Sequence, residues 1–165
     1  MKIYLASDHA GFKMKSEIIG WVKEFGHEPI DLGPFAYKET DDYPDFIVLA
    51  AREVSADPEN SRAIILGGSG QGEAIVANRF PKVRAAVYYG GNREVIKLSR
   101  QHNDSNVLSL GARFVNDTEA KEMIHLWLTL QFSNEPRHLR RINMIEQVTQ
   151  EPWFKKLLRF RPFRR

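Results

Sequence analysis

Ala63-Ile64-Ile65-Leu66-Gly67-Gly68-Ser69-Gly70-Gln71-Gly72-Glu73 is the stretch that decides the fold. Its first four residues are apolar and read as a buried strand. Residues 67–72 then hold four glycines. Glycine is costly in backbone entropy, so a loop keeps this many only where the backbone must approach something closely. A short helix is predicted from Glu73. Its free N–H groups and dipole favour an anion. Ser69 adds a hydroxyl and Glu73 a carboxylate at the same place.

The same alternation extends in both directions. Residues 2–6 form a short apolar run, read as a strand. Over 12–25, Met14, Ile18, Val22 and Phe25 recur at helical spacing, and Gly26 stops the helix. Residues 28–32 read as a second strand. After a loop rich in Asp and Pro, Pro44 falls at a helix's first turn, with Ile47, Ala50 and Val54 on the inner face. Residues 57–60 form a turn. Downstream of the glycine run come a strand at 83–87, a helix at 93–101 and a strand at 107–110. Asn116 and Glu119 form a capping pair for a helix that carries Met123, Ile124 and Trp127. Helical stretches near 139–149 and 153–159 close the chain. Strands alternating with helices predict an α/β fold: a Rossmann-like α/β/α sandwich around a parallel sheet. The site is then expected beyond the strands' carboxyl ends, in segments 7–11, 33–43, 67–72, 88–92 and 111–113.

Length and composition agree with this reading. The 165 residues suffice for one domain with a real core. Apolar residues make up 42% and charged residues 27%, an ordinary globular balance. No cysteine is present, which excludes disulfides and a cysteine nucleophile. No apolar run approaches the roughly 20 residues of a membrane span. Residues 1–2 lead into a strand without a cleavage pattern, so a cytoplasmic enzyme is expected. The net charge is +3, yet Lys155, Lys156, Arg159, Arg161, Arg164 and Arg165 lie in the last eleven residues, and without them the chain sums to −3. The organisation expected is a domain over 1–150 and a basic helical tail over 151–165. Such a tail can bind nucleic acid. The simpler reading is a solvated end that packs Trp153, Phe154, Leu157 and Leu158 on the body, and the acidic main domain argues against nucleic acid.

The glycine run excludes some chemistries. It lacks the Gly-Lys-Ser/Thr ending of a Walker loop. Its G-x-G-x-G spacing does not suit a dinucleotide loop, and Tyr88-Tyr89 stands where an acid should end the next strand. A turn with no ligand is one remaining reading. The other is an anion hole with a base beside it: loop N–H groups hold an enediolate oxygen and Glu73 takes the proton from the neighbouring carbon. Asp8-His9 follows the first strand, where an imidazole can contact phosphate and an aspartate can handle a sugar hydroxyl. Taken alone such a pair is more often a cap or turn than a catalytic dyad, and its place at a strand's carboxyl end shifts that balance. His102-Asn103, taken alone, is a surface loop. Arg137 and Arg141 share a helix face and can grip one phosphate, while Arg140 reads as solvated. No zinc or calcium spacing is present.

Together these pieces resemble the ribose-5-phosphate isomerase type B family, which includes allose-6-phosphate and galactose-6-phosphate isomerases. The matching residues are Ser7-Asp8-His9-Ala10-Gly11, Asp42-Tyr43-Pro44, Gly67 through Glu73, Ala77-Asn78, Ser99 through Asn103, Gly111-Ala112-Arg113 and Arg137-His138-x-Arg140-Arg141. They occur in family order over residues 1 to about 150.

The resemblance implies a five-stranded parallel sheet and a homodimer, or a tetramer built from it, with shared sites. It implies aldose–ketose isomerisation of a sugar phosphate through a cis-enediolate, without metal or other cofactor. Ribose 5-phosphate is the expected substrate, with a six-carbon sugar phosphate or non-catalytic binding as alternatives. Asp8 and His102 would assist ring opening, His102 coming from the partner subunit. The loop of Gly68, Ser69, Gly70, Gln71 and Gly72 would hold the enediolate. His9, Arg113, Arg137, His138 and Arg141 would surround the phosphate, and Tyr43 and Asn103 would line the sugar. Many family members carry a catalytic cysteine at the position of Gly67. A second branch uses a glutamate at the position of Glu73, and this sequence fits that branch.

Overall fold

Five strands, all parallel, form the sheet that the alternating pattern predicts. The computed structural model describes residues 1–150, so the helix expected at 153–159 and the basic tail lie outside the described residues. Two units divide after Ser133. The first runs β1 (Lys2–Ser7), α1 (Phe12–Glu24), β2 (Glu28–Asp31), α2 (Tyr43–Ala56), β3 (Ser61–Gly67), α3 (Gln71–Ala77), β4 (Ala85–Tyr88), α4 (Glu94–Gln101), β5 (Val107–Gly111) and α5 (Asp117–Thr129). The second begins at Asn134 and carries α6 (Pro136–Gln150), with proline at its start as helices tolerate.

The sheet order is β2-β1-β3-β5-β4. β3 lies in the middle and all of it is buried, so its sequence reads as a continuous apolar run rather than an alternation. Alternate strand residues face opposite layers. Ile3, Leu5, Ile64, Leu66, Leu108 and Leu110 share a core with Ile18 of α1, Ile96 of α4 and Ile124 and Trp127 of α5. Tyr4, Ala6, Ala63, Ile65 and Val107 share the other with Ile47, Ala50 and Val54 of α2 and Ala77 of α3. Helices therefore cover both faces, and the three-layer α/β/α sandwich is the observed architecture. Each fully buried Ile or Leu is worth about 1.5–3 kcal/mol, so these two layers dominate the fold's stability.

β3, β4 and α3 each start two residues away from the sequence reading. β3 starts at Ser61, two residues earlier than its apolar run, because its polar start is satisfied inside. The Ser61 hydroxyl donates to the Asp57 carbonyl at 2.6 Å, and the Arg62 guanidinium donates to the carbonyls of Trp127 and Leu128 at 3.3 and 3.0 Å. β4 starts later, at Ala85, because Arg84 is held by the Asn106 side chain instead of extending the strand. α3 starts at Gln71 rather than Glu73, after Gly70 turns the chain at φ 76°. The predicted cap of α5 is present, with Asn116 accepting the Glu119 N–H at 2.9 Å. The Glu119 carboxylate accepts from the Tyr88 hydroxyl at 2.7 Å.

Candidate active site

The sheet order reverses direction between β1 and β3, which opens a crevice beyond their carboxyl ends. The loops that flank it are 8–11 and 67–70. Glu73, on the first turn of α3, is 3% exposed. Its carboxylate fills the space that a side chain at position 67 would need: a Cβ on Gly67 would overlap it. Burial pushes the Glu73 carboxyl up from the ordinary carboxylate range. Its own backbone N–H opposes that shift, and the Asp8 charge adds to it. A carboxylate raised in this way is a better base toward carbon.

Asp8 is buried, and its Oδ1 accepts the N–H groups of Ala10 and Gly11 at 2.9 and 3.2 Å. It therefore closes the turn into α1 and also stands beside Glu73, so its turn and site readings coexist. His9 Nδ1 lies 2.7 Å from Asp41 Oδ1, which also accepts the His9 backbone N–H at 3.0 Å. That contact fixes the ring and leaves its other nitrogen for a ligand. The Tyr37 ring stands edge-on to His9, with centroids 6.5 Å apart.

The glycine loop turns its carbonyls one way. Gly67 O accepts from Ala112 N–H at 2.9 Å, Gly68 O from Arg113 N–H at 3.2 Å and Gly70 O from the Ser109 hydroxyl at 2.6 Å. In a planar trans peptide the N–H points opposite to the carbonyl. The N–H groups of Gly68 and Ser69 therefore point away from β5. The exposed Ser69 hydroxyl accepts the Gln71 N–H at 3.3 Å. The Arg113 guanidinium lies on Gly68, where a Cβ would stand 3.2 Å from it. The Tyr43 phenol lies on Gly72, where a Cβ would stand 2.7 Å from its oxygen. One glycine thus seats a guanidinium and another seats a phenol.

Asp8, His9, Tyr43, Gly68, Ser69, Gly70, Gln71, Gly72, Glu73 and Arg113 all come to this end of the sheet. His102 and Asn103 do not. They follow α4 and precede β5, at the strands' amino ends. A five-residue strand separates the two ends by roughly 13 Å, so His102 cannot reach Glu73 of its own chain. Arg137, His138 and Arg141 are carried on α6, in the second unit. Within it, Arg137 and Arg141 are exposed, and Arg137 Nε donates to Glu135 Oε2 at 2.8 Å.

Sequence reasoning missed the groups that hold these side chains. Asp41 lies 32 residues from His9, and no periodicity links the two. Lys15 is a charged residue on the buried face of α1 and is 1% exposed. Its ammonium pairs with Asp31 and donates to the Pro34 carbonyl at 3.0 Å. Asp31 also accepts the Gly33 N–H at 2.9 Å. Together they anchor the start of the loop that delivers Asp41 and Tyr43. Among the described residues, no group of three or more His, Asp or Glu side chains is placed to hold a metal ion, and no helix is long and apolar enough to cross a membrane.

A crevice with a buried carboxylate beside a glycine-rich loop defines a class, and the chain belongs to the Ribose/Galactose Isomerase family, which matches residues 3–145. Within it, the chain is 42% identical over 155 residues to ribose-5-phosphate isomerase B of Mycolicibacterium paratuberculosis, covering 92% of this chain and 96% of that one. It is 38% identical over 149 residues to ribose-5-phosphate isomerase B of Escherichia coli, covering 90% and 97%. The structure of ribose-5-phosphate isomerase B from Mycoplasma genitalium with bound ribulose 5-phosphate superposes with a TM-score of 0.87 at 35% identity, covering 92% of this chain and 97% of that one.

Proposed function

We propose that the chain converts ribose 5-phosphate to ribulose 5-phosphate, with Glu73 as the base. The observation that carries this reading is the buried Glu73 carboxylate seated against Gly67 and beside Asp8. Glu73 takes the proton from C2 of the open-chain aldose, and the C1 oxygen becomes anionic. The N–H groups of Gly68 and Ser69 hold that oxygen. Each such donor is typically worth about 2.7–4 kcal/mol. The same carboxyl returns the proton to C1, and a proton moves from O2 to O1 to leave the ketose. No electrons leave the substrate, so no redox cofactor is needed. The relatives' names support a five-carbon sugar. The test is turnover of a panel of aldose phosphates: ribose 5-phosphate is expected to be the best substrate, and a preference for allose 6-phosphate would overturn the choice of sugar. A chain with no cysteine and a phosphorylated substrate fits a cytoplasmic setting.

In this reading His9 and Arg113 contact the phosphate at the crevice, and the resemblance assigns phosphate contacts to Arg137, His138 and Arg141 of α6 as well. Truncating Arg137 or Arg141 to alanine is expected to raise KM for the sugar phosphate by about tenfold or more, the usual scale of a lost charge-assisted contact. Unphosphorylated ribose is expected to be unaffected. Equal effects on both sugars, compared by steady-state kinetics, would make these arginines structural.

The placement of His102 supports a homodimer in which each site takes Glu73 from one chain and His102 from its partner. In a mixed dimer of Glu73→Gln and His102→Ala chains, one site carries both defects and the other neither. Coexpression of the two nearly inactive variants is expected to restore up to about half of wild-type activity per mixed dimer, as a closed two-fold interface requires. Mixed dimers that form and stay inactive would refute the shared site.

A further inference from the structure

The corner that carries His102 is held more firmly than its place on a surface loop would suggest. α4 ends there, and the chain must turn into β5 within a few residues. Asp104 makes the turn with φ at 45°, in the left-handed region. That conformation is strained for a non-glycine residue, although Asp and Asn tolerate it best. Two arginines converge on Asp104. Arg100 donates to its Oδ1 at 2.7 Å and Arg84 to its Oδ2 at 2.9 Å. Arg84 Nε also donates to the carbonyls of Asn103 and Asp104, at 3.1 and 2.9 Å. Arg100 donates to the carbonyls of Ser105 and Leu130, at 2.6 and 3.3 Å.

These contacts tie the corner to three elements. Arg100 belongs to α4, Arg84 immediately precedes β4, and Leu130 follows α5. The Arg100 side chain is 4% exposed and that of Arg84 is 11% exposed. Buried guanidinium–carboxylate contacts are strong only when every donor is engaged, and here the forks are shared between a carboxylate and backbone carbonyls. Asn103 stands exposed on this frame and His102 stands half-buried.

We infer that Arg84, Asp104 and Arg100 are positioning residues for the His102–Asn103 corner, which they hold in the geometry needed by the partner subunit's site. The inference rests on the shared-site reading above. None of the three touches the reacting atoms of its own site, since they lie at the strands' amino ends. Their effect on catalysis is therefore exerted in trans, through His102 and Asn103.

The test is Asp104→Asn in the full-length protein. Asparagine keeps the shape and suits the same positive φ, but it loses the charge that joins the two arginines and turns one of their two acceptor oxygens into an NH2 donor. The expected result is a kcat on ribose 5-phosphate lower by about tenfold or more, with KM little changed and the dimer intact by sedimentation. Grouping in mixed dimers then separates positioning from general damage. Asp104→Asn paired with Glu73→Gln is expected to regain activity, because one site receives an intact corner and an intact base. Paired with His102→Ala it is expected to stay at or below the Asp104→Asn homodimer, because both sites then receive a defective corner. Arg84→Lys keeps the charge but loses the fork, and it is expected to group in the same way. It serves as the second variant if Asp104→Asn does not fold. Near-normal kcat in both variants, or rescue by His102→Ala, would overturn the inference while leaving the shared site standing. Failure of Glu73→Gln and His102→Ala to complement each other would remove the shared site, and the inference with it.

Discussion

Glu73→Gln is expected to lower kcat by two orders of magnitude or more while substrate binding is roughly kept. The amide has the shape of the carboxylate and cannot take a proton from carbon, so the loss falls on the transition state and not on the ground state. The wild-type pH profile of kcat/KM should show an acid limb above the ordinary carboxylate range, because burial and Asp8 both raise the Glu73 pKa. The variant should lack that limb. Stability should move in the opposite direction. The folded chain holds the Glu73 proton more tightly than the unfolded chain does. Wild-type stability is therefore lost as pH rises from the ordinary carboxylate pKa through the raised one. Glutamine has no such proton, so the variant is expected to be more stable than wild type above that window and to lose the advantage in acid. Steady-state kinetics with denaturant melts across pH checks both halves. A variant with near-normal kcat would remove Glu73 from the base role.

Gly67→Ala is expected to lower kcat by at least tenfold although it adds one methyl group. That Cβ would overlap the Glu73 carboxylate, which must then swing away from its seat. Forcing a methyl group into a packed site typically costs about 1–3 kcal/mol, so a modest loss of stability should accompany the loss of rate. Gly20→Ala is the control, because nothing lies within 4 Å of a Cβ there, and it should leave activity unchanged. The double variant Gly67→Ala/Glu73→Gln should be no slower than Glu73→Gln alone, since both changes act on one carboxylate. Additive losses would show that Gly67 acts through something other than Glu73. A cysteine at 67 and this seat of Glu73 would compete for one volume, so a chain with Glu73 seated there needs glycine at 67.

The sheet was legible because periodicity is a local signal. The apolar runs at Ile3–Ala6, Ala63–Leu66 and Val107–Leu110 can be read without knowing their neighbours, and glycine marks the turns. Boundaries failed where a polar residue was satisfied from far along the chain. Arg62 extends β3 because the end of α5 offers it carbonyls. Lys15 is buried because Asp31 and Pro34 receive its ammonium. The candidate site divides in the same way. Gly67 through Glu73 could be read as an anion loop with a base, since the strand, turn and helix there are contiguous.

By itself, then, the sequence determined the alternation of strands and helices, the glycine loop with Glu73 at its end, and the absence of cysteine chemistry. Only the tertiary structure decided how those groups are held and which of them can meet. The seat of Glu73 on Gly67, the pairing of His9 with Asp41 and the clamp of Arg84 and Arg100 on Asp104 each depend on side chains brought together by the layers. The parallel sheet also sends His102 to the end opposite Glu73. The physical reason is one of range. Hydrophobic periodicity is written within a single element, whereas desolvation, close approach and charge pairing arise between elements that become neighbours only when the core closes.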